Sequence, residues 1–356
     1  MKIPQLKIGN LTAAIPIVQG GMGVKVSLSS LASAVANEGG IGTIASVGLG
    51  DIEASKYDFE AQCREALGAE IQKAKRLTEG HLAVNVMGAL SNADDLIRTA
   101  VREGIKIIVI GAGLPLRLPG LVEDSSVNLV PIVSSGRAAD LILRAWDKRY
   151  GRTADAVVLE GPLAGGHLGF SMEQLAHPED YSLERLLPEI LEAVKPFEDR
   201  HGKKIPVIAG GGIYDGRDIA RMLSLGASGV QMATRFVCTM ECDVSNPFKQ
   251  AYLEAKEEDI VIIRSPVGMP ARAVRNKFLR DLEIKGKLSV HCPYRCLTAC
   301  KMGEARYCIA KALVNSYLGN VDEGVIFCGQ NAHRASKIIT VRELMSELVQ
   351  ETEANL

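Results

Sequence analysis

The chain has 356 residues, 47% of them hydrophobic, and its 41 lysines and arginines offset 42 acidic residues to a net charge of −1. A chain of this length can bury one large barrel with an appendage, or two domains. The lack of a basic stripe disfavours a nucleic-acid partner. The start has no signal-peptide core and no apolar run is long enough to span a membrane, so we expect a soluble cytoplasmic protein without a membrane partner.

Eight short aliphatic runs, each followed by a helix or a segment of helical length, predict an α/β fold, a (β/α)8 TIM barrel. No Gly-x-Gly-x-x-Gly follows the first run, which disfavours the alternative, a doubly wound sheet. The predicted strands cover residues 15–19, 41–45, 82–86, 107–110, 129–133, 156–159, 205–209 and 229–232. The predicted helices among them cover residues 27–38, 57–77, 92–103, 137–146, 183–197 and 215–225.

The regular pattern ends near residue 239, and prolines and glycines interrupt the stretch that follows. Further helices are expected near residues 246–255, 305–318 and 340–349. The sequence therefore predicts three parts: a barrel over residues 1–239, a lid or insertion over 240–303 that reaches into a cysteine cluster, and C-terminal helices over 304–356 that pack back on the barrel.

Small, donor-rich residues follow the last two predicted strands. Gly210, Gly211 and Gly212 follow the seventh strand, and Ala233 and Thr234, with an arginine next to them, follow the eighth. Phosphate groups in (β/α)8 barrels typically bind at these two loops, where free N–H groups serve as donors. The alternative is that the glycines only make a tight strand–helix turn.

The remaining strand ends carry glycine, small residues and neutral hydrogen-bonding groups. They offer no pair of carboxylates for glycoside hydrolysis and no acidic or histidine cluster for a catalytic metal. His167 is the one strong acid–base candidate, although a histidine after two glycines could instead cap its loop through a backbone hydrogen bond. A site with so little chemistry of its own is expected to use a cofactor, and a flat, phosphate-bearing cofactor such as FMN matches it.

Four segments together resemble the nitronate monooxygenase family, formerly called 2-nitropropane dioxygenase, which is similar to the FMN-dependent enoyl-ACP reductase II enzymes. They read IVQGGMG, NV, EGPLAGGHLG and AGGGI…GVQMATRF, and the resemblance covers residues 3–239. It implies that His167 is the catalytic base and that FMN is the cofactor. With the neighbouring strand ends, the expected FMN-binding residues are Gly21, Met22, Gly23, Asn85, Ser134, Glu160, Ala164, Gly165, Gly166, Gly211, Gly212, Gln231, Ala233 and Thr234.

Two of these positions carry an open question. Glu160 is either a flavin ribityl acceptor or an ordinary carboxylate at a strand end. Many family members have a lysine near the flavin after the fifth strand, where this chain has Ser134 and Ser135. The departure leaves open which group stabilises negative charge at the N1–C2 edge of the flavin.

Four of the eight cysteines, Cys292, Cys296, Cys300 and Cys308, lie in one short segment, with Cys328 as a reserve ligand. Four thiolates can hold a [4Fe–4S] cluster or a zinc ion, and we expect a metal here, with iron–sulfur ahead of zinc. The alternative is a helix whose buried stripe uses cysteine as a small hydrophobe, since the first three are four residues apart.

Three functions follow, and the first two act on a small-molecule substrate. The first is a nitronate monooxygenase, with His167 assisting or deprotonating the substrate. The second is an NAD(P)H-dependent reductase of enoyl-ACP or related enoyl thioesters. For this second function the basic residues 272–287 would dock an acidic acyl carrier protein or a nicotinamide phosphate, unless they are only a solvated lid surface. The third is a flavin and iron–sulfur electron-transfer protein. A homodimer is a further expectation.

Overall fold

The computed structural model describes residues 1–298 and 300–356 and confirms the predicted (β/α)8 barrel. Eight parallel strands close on themselves in the order β10-β11-β3-β4-β5-β6-β7-β8. The strands are β1 (Leu6–Ile8), β2 (Leu11–Ala13), β3 (Ile17–Gln19), β4 (Ile41–Ala45), β5 (His81–Met87), β6 (Ile107–Gly111), β7 (Asn128–Val133), β8 (Val157–Glu160), β9 (Gly166–His167), β10 (Val207–Gly210), β11 (Gly229–Met232), β12 (Ile260–Arg264) and β13 (Pro270–Val274).

The nine predicted helices are found close to their predicted positions, because apolar stripes and caps mark most of them in the sequence. Four further helices, at residues 118–121, 172–176, 234–237 and 277–285, are not among those predicted. The helices are α1 (Ser29–Asn37), α2 (Lys56–Leu77), α3 (Ala93–Arg102), α4 (Leu118–Leu121), α5 (Gly136–Tyr150), α6 (Met172–Ala176), α7 (Leu183–His201), α8 (Gly216–Ser224), α9 (Thr234–Val237), α10 (Asn246–Glu254), α11 (Lys277–Lys285), α12 (Ile309–Leu318) and α13 (Val341–Asn355).

The N-terminal hairpin β1–β2 closes one end of the barrel. Leu6 and Ile8 of β1 are buried at 0% and 2% exposure and pack in one cluster with Ile41 and Ile107, the first residues of β4 and β6. Because apolar side chains fill the end where the strands begin, a ligand has access only at the opposite end, where the strands finish.

A second, antiparallel sheet lies over that opposite end. β12 pairs with β13, and β13 pairs in turn with the two-residue strand β9, which follows β8 of the barrel. The core of this lid includes Phe278, Leu282, Tyr307 and Ile309. The lid core therefore includes α12 and extends beyond residue 303, where the sequence predicts a boundary.

Helix α13 completes the outer ring of the barrel by packing against α8 and α1. Thr340 caps it through a capping box with Glu343, and Leu344 and Leu348 are fully buried on its inner face. Near its end, the Glu353 carboxylate accepts a hydrogen bond of 3.1 Å from the N–H of Ile3. The lid is therefore inserted between the last barrel strand and the last barrel helix. Among the described helices, none has the length and apolar character required to cross a membrane.

If α13 is part of the barrel, removing one of its buried side chains should destabilise the whole protein. We expect Leu344→Ala to lower the free energy of unfolding by about 2–5 kcal/mol, because it leaves a cavity between α13 and the barrel. Leu318→Ala makes the same change at a position that is 61% exposed, and is expected to cost under about 0.5 kcal/mol. Urea denaturation measures both, and equal losses would contradict this view of α13.

Candidate active site

A cavity of about 480 Å³ opens where the barrel strands end, the position of the active site in (β/α)8 enzymes. Its volume is in the range typical of cofactor and small-molecule sites. The structure places His167 and every residue expected to bind FMN in the lining of this cavity. The expected FMN residues are Gly21, Met22, Gly23, Asn85, Ser134, Glu160, Ala164, Gly165, Gly166, Gly211, Gly212, Gln231, Ala233 and Thr234.

Backbone donors dominate the end of the cavity at β10 and β11. Gly211 and Gly212 have φ values of +101° and +87°, and a Cβ on Gly211 would lie 2.9 Å from the carbonyl oxygen of Gly161. Within the described part of the chain, the N–H groups of these two glycines donate to no acceptor. Ala233 and Thr234 line the same cavity. Unpaired N–H groups in such a turn form a concave anion site, so this end fits a phosphate.

Arg235, which the sequence places next to these groups, contributes nothing to the cavity lining. Its guanidinium is 2.8 Å from the Glu347 carboxylate and lies over the ring of Tyr214 at 4.8 Å. The phosphate end of the cavity therefore has backbone N–H groups and the Thr234 hydroxyl as its donors.

The loop after β3 approaches the end of β5 so closely that only glycine fits. A Cβ on Gly21 would lie 2.3 Å from the Cβ of Asn85. Next to it, the N–H of Met22 donates to Ser27 Oγ at 2.9 Å, which fixes the turn. The Asn85 side chain and the Gly21 backbone are therefore adjacent in the cavity wall.

The lid holds His167 in place. The residue belongs to β9 and is paired with Ala271 of β13, and its Nε2 lies 2.7 Å from Ser265 Oγ. The imidazole also packs edge-on against the ring of Phe327 at 5.0 Å. Burial lowers the pKa of His167 to about 4, so the imidazole is neutral at physiological pH.

Glu160, at the end of β8, is the second ionisable group of the cavity that the sequence analysis identifies. Its carboxylate has no ion pair or hydrogen bond among the described residues. Burial alone raises the pKa of Glu160 to about 7, because a charged carboxylate loses hydration there without gaining a partner. The two groups are thus shifted in opposite directions, and the neutral form of each is favoured.

The lid supplies lining residues that were not expected in the cavity from the sequence. No local motif marks them, because they come from separate segments that meet only in the folded chain. They are Phe248, Tyr252, Met269, Leu313, Phe327 and Cys328. The described residues that line the cavity include no lysine or arginine.

Arg272 is not part of a docking surface, which corrects the expectation for the first residue of the basic segment. It is only 3% exposed, and its guanidinium donates to the carbonyl oxygens of Pro162, at 2.7 Å, and Ala164. The side chain therefore lies inside the protein, behind the loop that follows β8.

Part of the positive charge in the rest of residues 272–287 is paired. Arg275 pairs with Glu283 at 2.8 Å and Lys277 with Asp281 at 2.7 Å, and Arg280 donates to the carbonyl oxygen of Arg275. Lys285 and Lys287 have no carboxylate partner among the described residues, so the segment keeps a net positive charge.

The described part of the cysteine segment, residues 292–298 and 300, is a loop, so the alternative of a helical cysteine stripe is wrong there. The loop lies on the turn after β5, where Ser91 N–H donates to the carbonyl oxygen of Cys296 at 3.0 Å. Burial and the nearby thiols Cys292, Cys308 and Cys300 raise the pKa of Cys296 to about 12.

The four thiols are thus near one another, yet a metal site is not shown. Among residues 1–298 and 300–356, no group of three or more histidine, cysteine or acidic side chains is arranged to hold a metal ion. The expected iron–sulfur or zinc site therefore has no support here. The reserve ligand Cys328 is buried and lines the cavity instead.

Two named activities occur among relatives in sequence. A 5-hydroxy-7a-methyl-1-oxo-octahydro-1H-indene-4-carboxyl-CoA dehydrogenase of Mycobacterium tuberculosis is 32% identical over 75% of this chain. The match covers 65% of that enzyme, so the chain spans slightly less than two thirds of its length. A probable nitronate monooxygenase of Staphylococcus aureus is 25% identical, over 76% of this chain and 78% of its own.

Solved structures share the fold over nearly the whole chain. FabK from Thermotoga maritima superimposes with a TM-score of 0.74 at 27% identity, covering 96% of this chain and 94% of its own. Nitroalkane oxidase from Streptomyces ansochromogenes has the same TM-score at 22% identity, covering 96% and 97%, and supports the fold alone. The sequence model of the family described as nitronate monooxygenase matches residues 5–351. The chain therefore belongs to the nitronate monooxygenase family.

Proposed function

We propose that this protein is an FMN-dependent oxidoreductase that oxidises nitroalkanes and alkyl nitronates, with His167 as the base. The observation that carries the proposal is a neutral imidazole in the lining of a cavity that also fits a flavin phosphate. A histidine that is neutral at physiological pH is ready to accept a proton from carbon without first losing one of its own.

The residues of the cavity fit FMN. The unpaired N–H groups of Gly211 and Gly212, with Thr234, would hold the phosphate, since such groups favour anions. Asn85 and the Gly21 backbone would lie along the ring, and Glu160 would accept hydrogen bonds from the ribityl chain. When bound, FMN supplies the site with a two-electron acceptor, and the protein supplies position and proton transfer.

His167 has one nitrogen available for proton transfer. Its Nε2 is engaged with Ser265 Oγ at 2.7 Å, whereas Nδ1 has no partner among the described residues. If Nε2 carries the proton and donates it to Ser265, the lone pair of Nδ1 is free to take a proton from the carbon next to a nitro group. Ser265 is then a positioning residue that selects the tautomer.

A second candidate is an oxidoreductase of acyl or enoyl thioesters, with NADH or NADPH as co-substrate and a coenzyme A ester or acyl carrier protein as partner. A specific observation favours it: the Mycobacterium relative at 32% identity is named as a dehydrogenase of a carboxyl-CoA. The carbon next to a thioester carbonyl also carries an acidic proton, so the same base would serve. In this second candidate His167 would remove the α-proton when an acyl thioester is oxidised, and the same position would return a proton to the α-carbon when an enoyl thioester is reduced.

If His167 is the base, its replacement should slow the reaction of a substrate that still carries its proton more than the reaction of a substrate that has already lost it. We expect His167→Asn to slow anaerobic flavin bleaching by nitroethane about 10²- to 10⁴-fold. Bleaching by ethyl nitronate, which has already lost that proton, should slow much less. Stopped-flow absorbance measures both rates. His177→Asn, at an exposed histidine outside the cavity, is the matched control. Equal losses for the two substrates would rule out the base role.

Anaerobic titration separates the two candidates. Under the first, nitronate bleaches the bound flavin and NADH or NADPH does not. Under the second, a nicotinamide bleaches the flavin and an enoyl thioester then restores its absorbance, or a saturated acyl-CoA bleaches it directly. Purification without any bound flavin, and no uptake of added FMN, would contradict both.

Glu160 should make the unfolding free energy of the FMN-free protein depend on pH. Its pKa is about 7 when folded against an ordinary value of 4.5. The folded state therefore binds this proton more tightly than the unfolded state does. The stabilisation that results is complete below pH 4.5 and is lost as the pH rises through 7. Relative to Glu160→Gln, the wild-type protein should lose on the order of 3 kcal/mol of unfolding free energy over that interval. Urea denaturation at pH 4.5, 6 and 8 measures the difference. If the unfolding free energies of the two proteins changed in parallel with pH, the carboxyl group would be hydrated in the folded protein and the prediction would be wrong.

A further inference from the structure

Arg272 is a buried cation without an anion. It is 3% exposed, and no carboxylate pairs with it among the described residues. Charged side chains are rarely buried unless they are paired, and an unpaired buried charge is costly. Its partners are instead the carbonyl oxygens of Pro162 and Ala164. An unpaired charge buried at this position needs a functional explanation, and the loop that it contacts lines the cavity.

The two carbonyl groups fix the orientation of their peptide units. In a planar trans peptide, the C=O of one residue and the N–H of the next point in opposite directions. Since Arg272 holds the carbonyl groups of Pro162 and Ala164, the N–H groups of Leu163 and Gly165 point away from it. Leu163 and Gly165 both line the cavity, and their N–H groups donate to no acceptor in the described part of the chain.

The same residue joins three parts of the site. On β13 it is paired with Gly166 of β9, and its own carbonyl oxygen accepts a hydrogen bond of 3.2 Å from the N–H of Cys328. Gly165 in turn packs so tightly on that segment that a Cβ would lie 2.5 Å from the carbonyl carbon of Cys328. The loop is thus held on both sides, and its two N–H groups have little freedom to turn.

Arg272 also supplies charge where the cavity has none. No lysine or arginine is among the described lining residues. Ser134 and Ser135 follow β7, at the position where the family resemblance predicts a lysine. A fixed positive charge and oriented N–H groups stabilise negative charge most strongly where water is excluded. A flavin gains negative charge on reduction, so both effects favour its reduced form.

We propose that Arg272 is a positioning residue for the flavin, which turns the N–H groups of Leu163 and Gly165 towards the cavity and provides the positive charge missing from its lining. The inference rests on the proposed binding of FMN in this cavity. Arg272 acts through the loop and raises the midpoint potential of the bound flavin.

The test compares Arg272→Met and Arg272→Lys with the wild-type protein, after reconstitution with FMN. We expect Arg272→Met to weaken binding of reduced FMN tenfold more than binding of oxidised FMN, which equals a midpoint potential about 30 mV lower for a two-electron couple. Arg272→Lys keeps the charge but not the planar donor group, so its change should be smaller and in the same direction. Equilibration with redox dyes gives the potential, and fluorescence titration gives the dissociation constant.

The matched control is Arg275→Met, at an exposed arginine of the lid that pairs with Glu283, and its potential should equal that of the wild type. If Arg272→Met does not fold, Arg272→Lys alone decides, with an expected several-fold change in the ratio of the two dissociation constants. An unchanged ratio would overturn the proposal, because a purely structural arginine weakens both oxidation states equally. Binding of FMN by the wild-type protein is measured before any variant is compared. Failure of the wild-type protein to bind FMN would contradict the proposed function.

Discussion

The pairing of β9 with β13 is the contact on which the site depends. Two residues that follow a barrel strand bind a lid strand about one hundred positions later in the chain, in a register that sets His167 opposite Ala271. Successive side chains on a strand point to opposite faces, so a shift by one residue would turn the imidazole to the other side. The position of the acid–base group is thus decided by the lid as much as by the barrel.

The barrel itself forms a cavity that is closed at one end and has few ionisable side chains. A hairpin of apolar residues closes the end where the strands begin, and glycine, asparagine and serine at the other end leave space for a flat ligand. The two groups with shifted pKa values come from one βα segment, because Glu160 is the last residue of β8 and His167 belongs to β9, which follows β8. The end of β8 and the segment after it therefore carry the reactive side chains, while the other loops shape the cavity around them.

Much of the barrel could be predicted from sequence, because the buried parallel strands are short, mainly aliphatic runs and each is followed by a glycine, a serine or an alanine. The cavity-lining positions followed from the rule that strand ends meet at one face, and from resemblance to a family. The lid could not be derived in this way. Phe327 and Ser265 reach the site through contacts far apart in sequence, and Arg272 looks like a surface cation until its carbonyl partners are known. The cysteine spacing allowed a helix or a loop, and only the folded chain decides between them.

The hydrogen bond from Ile3 to Glu353 has a consequence for how the protein is made. The first barrel helix can pack against its last neighbour only after synthesis has passed through the whole lid and reached α13. The ring of helices therefore stays open on the ribosome for most of translation, with the apolar flank of α1 uncovered. Closure joins residues separated by almost the entire chain, and such long-range contacts form slowly. Chaperones that shield exposed apolar surface during synthesis have a natural target in this nascent chain.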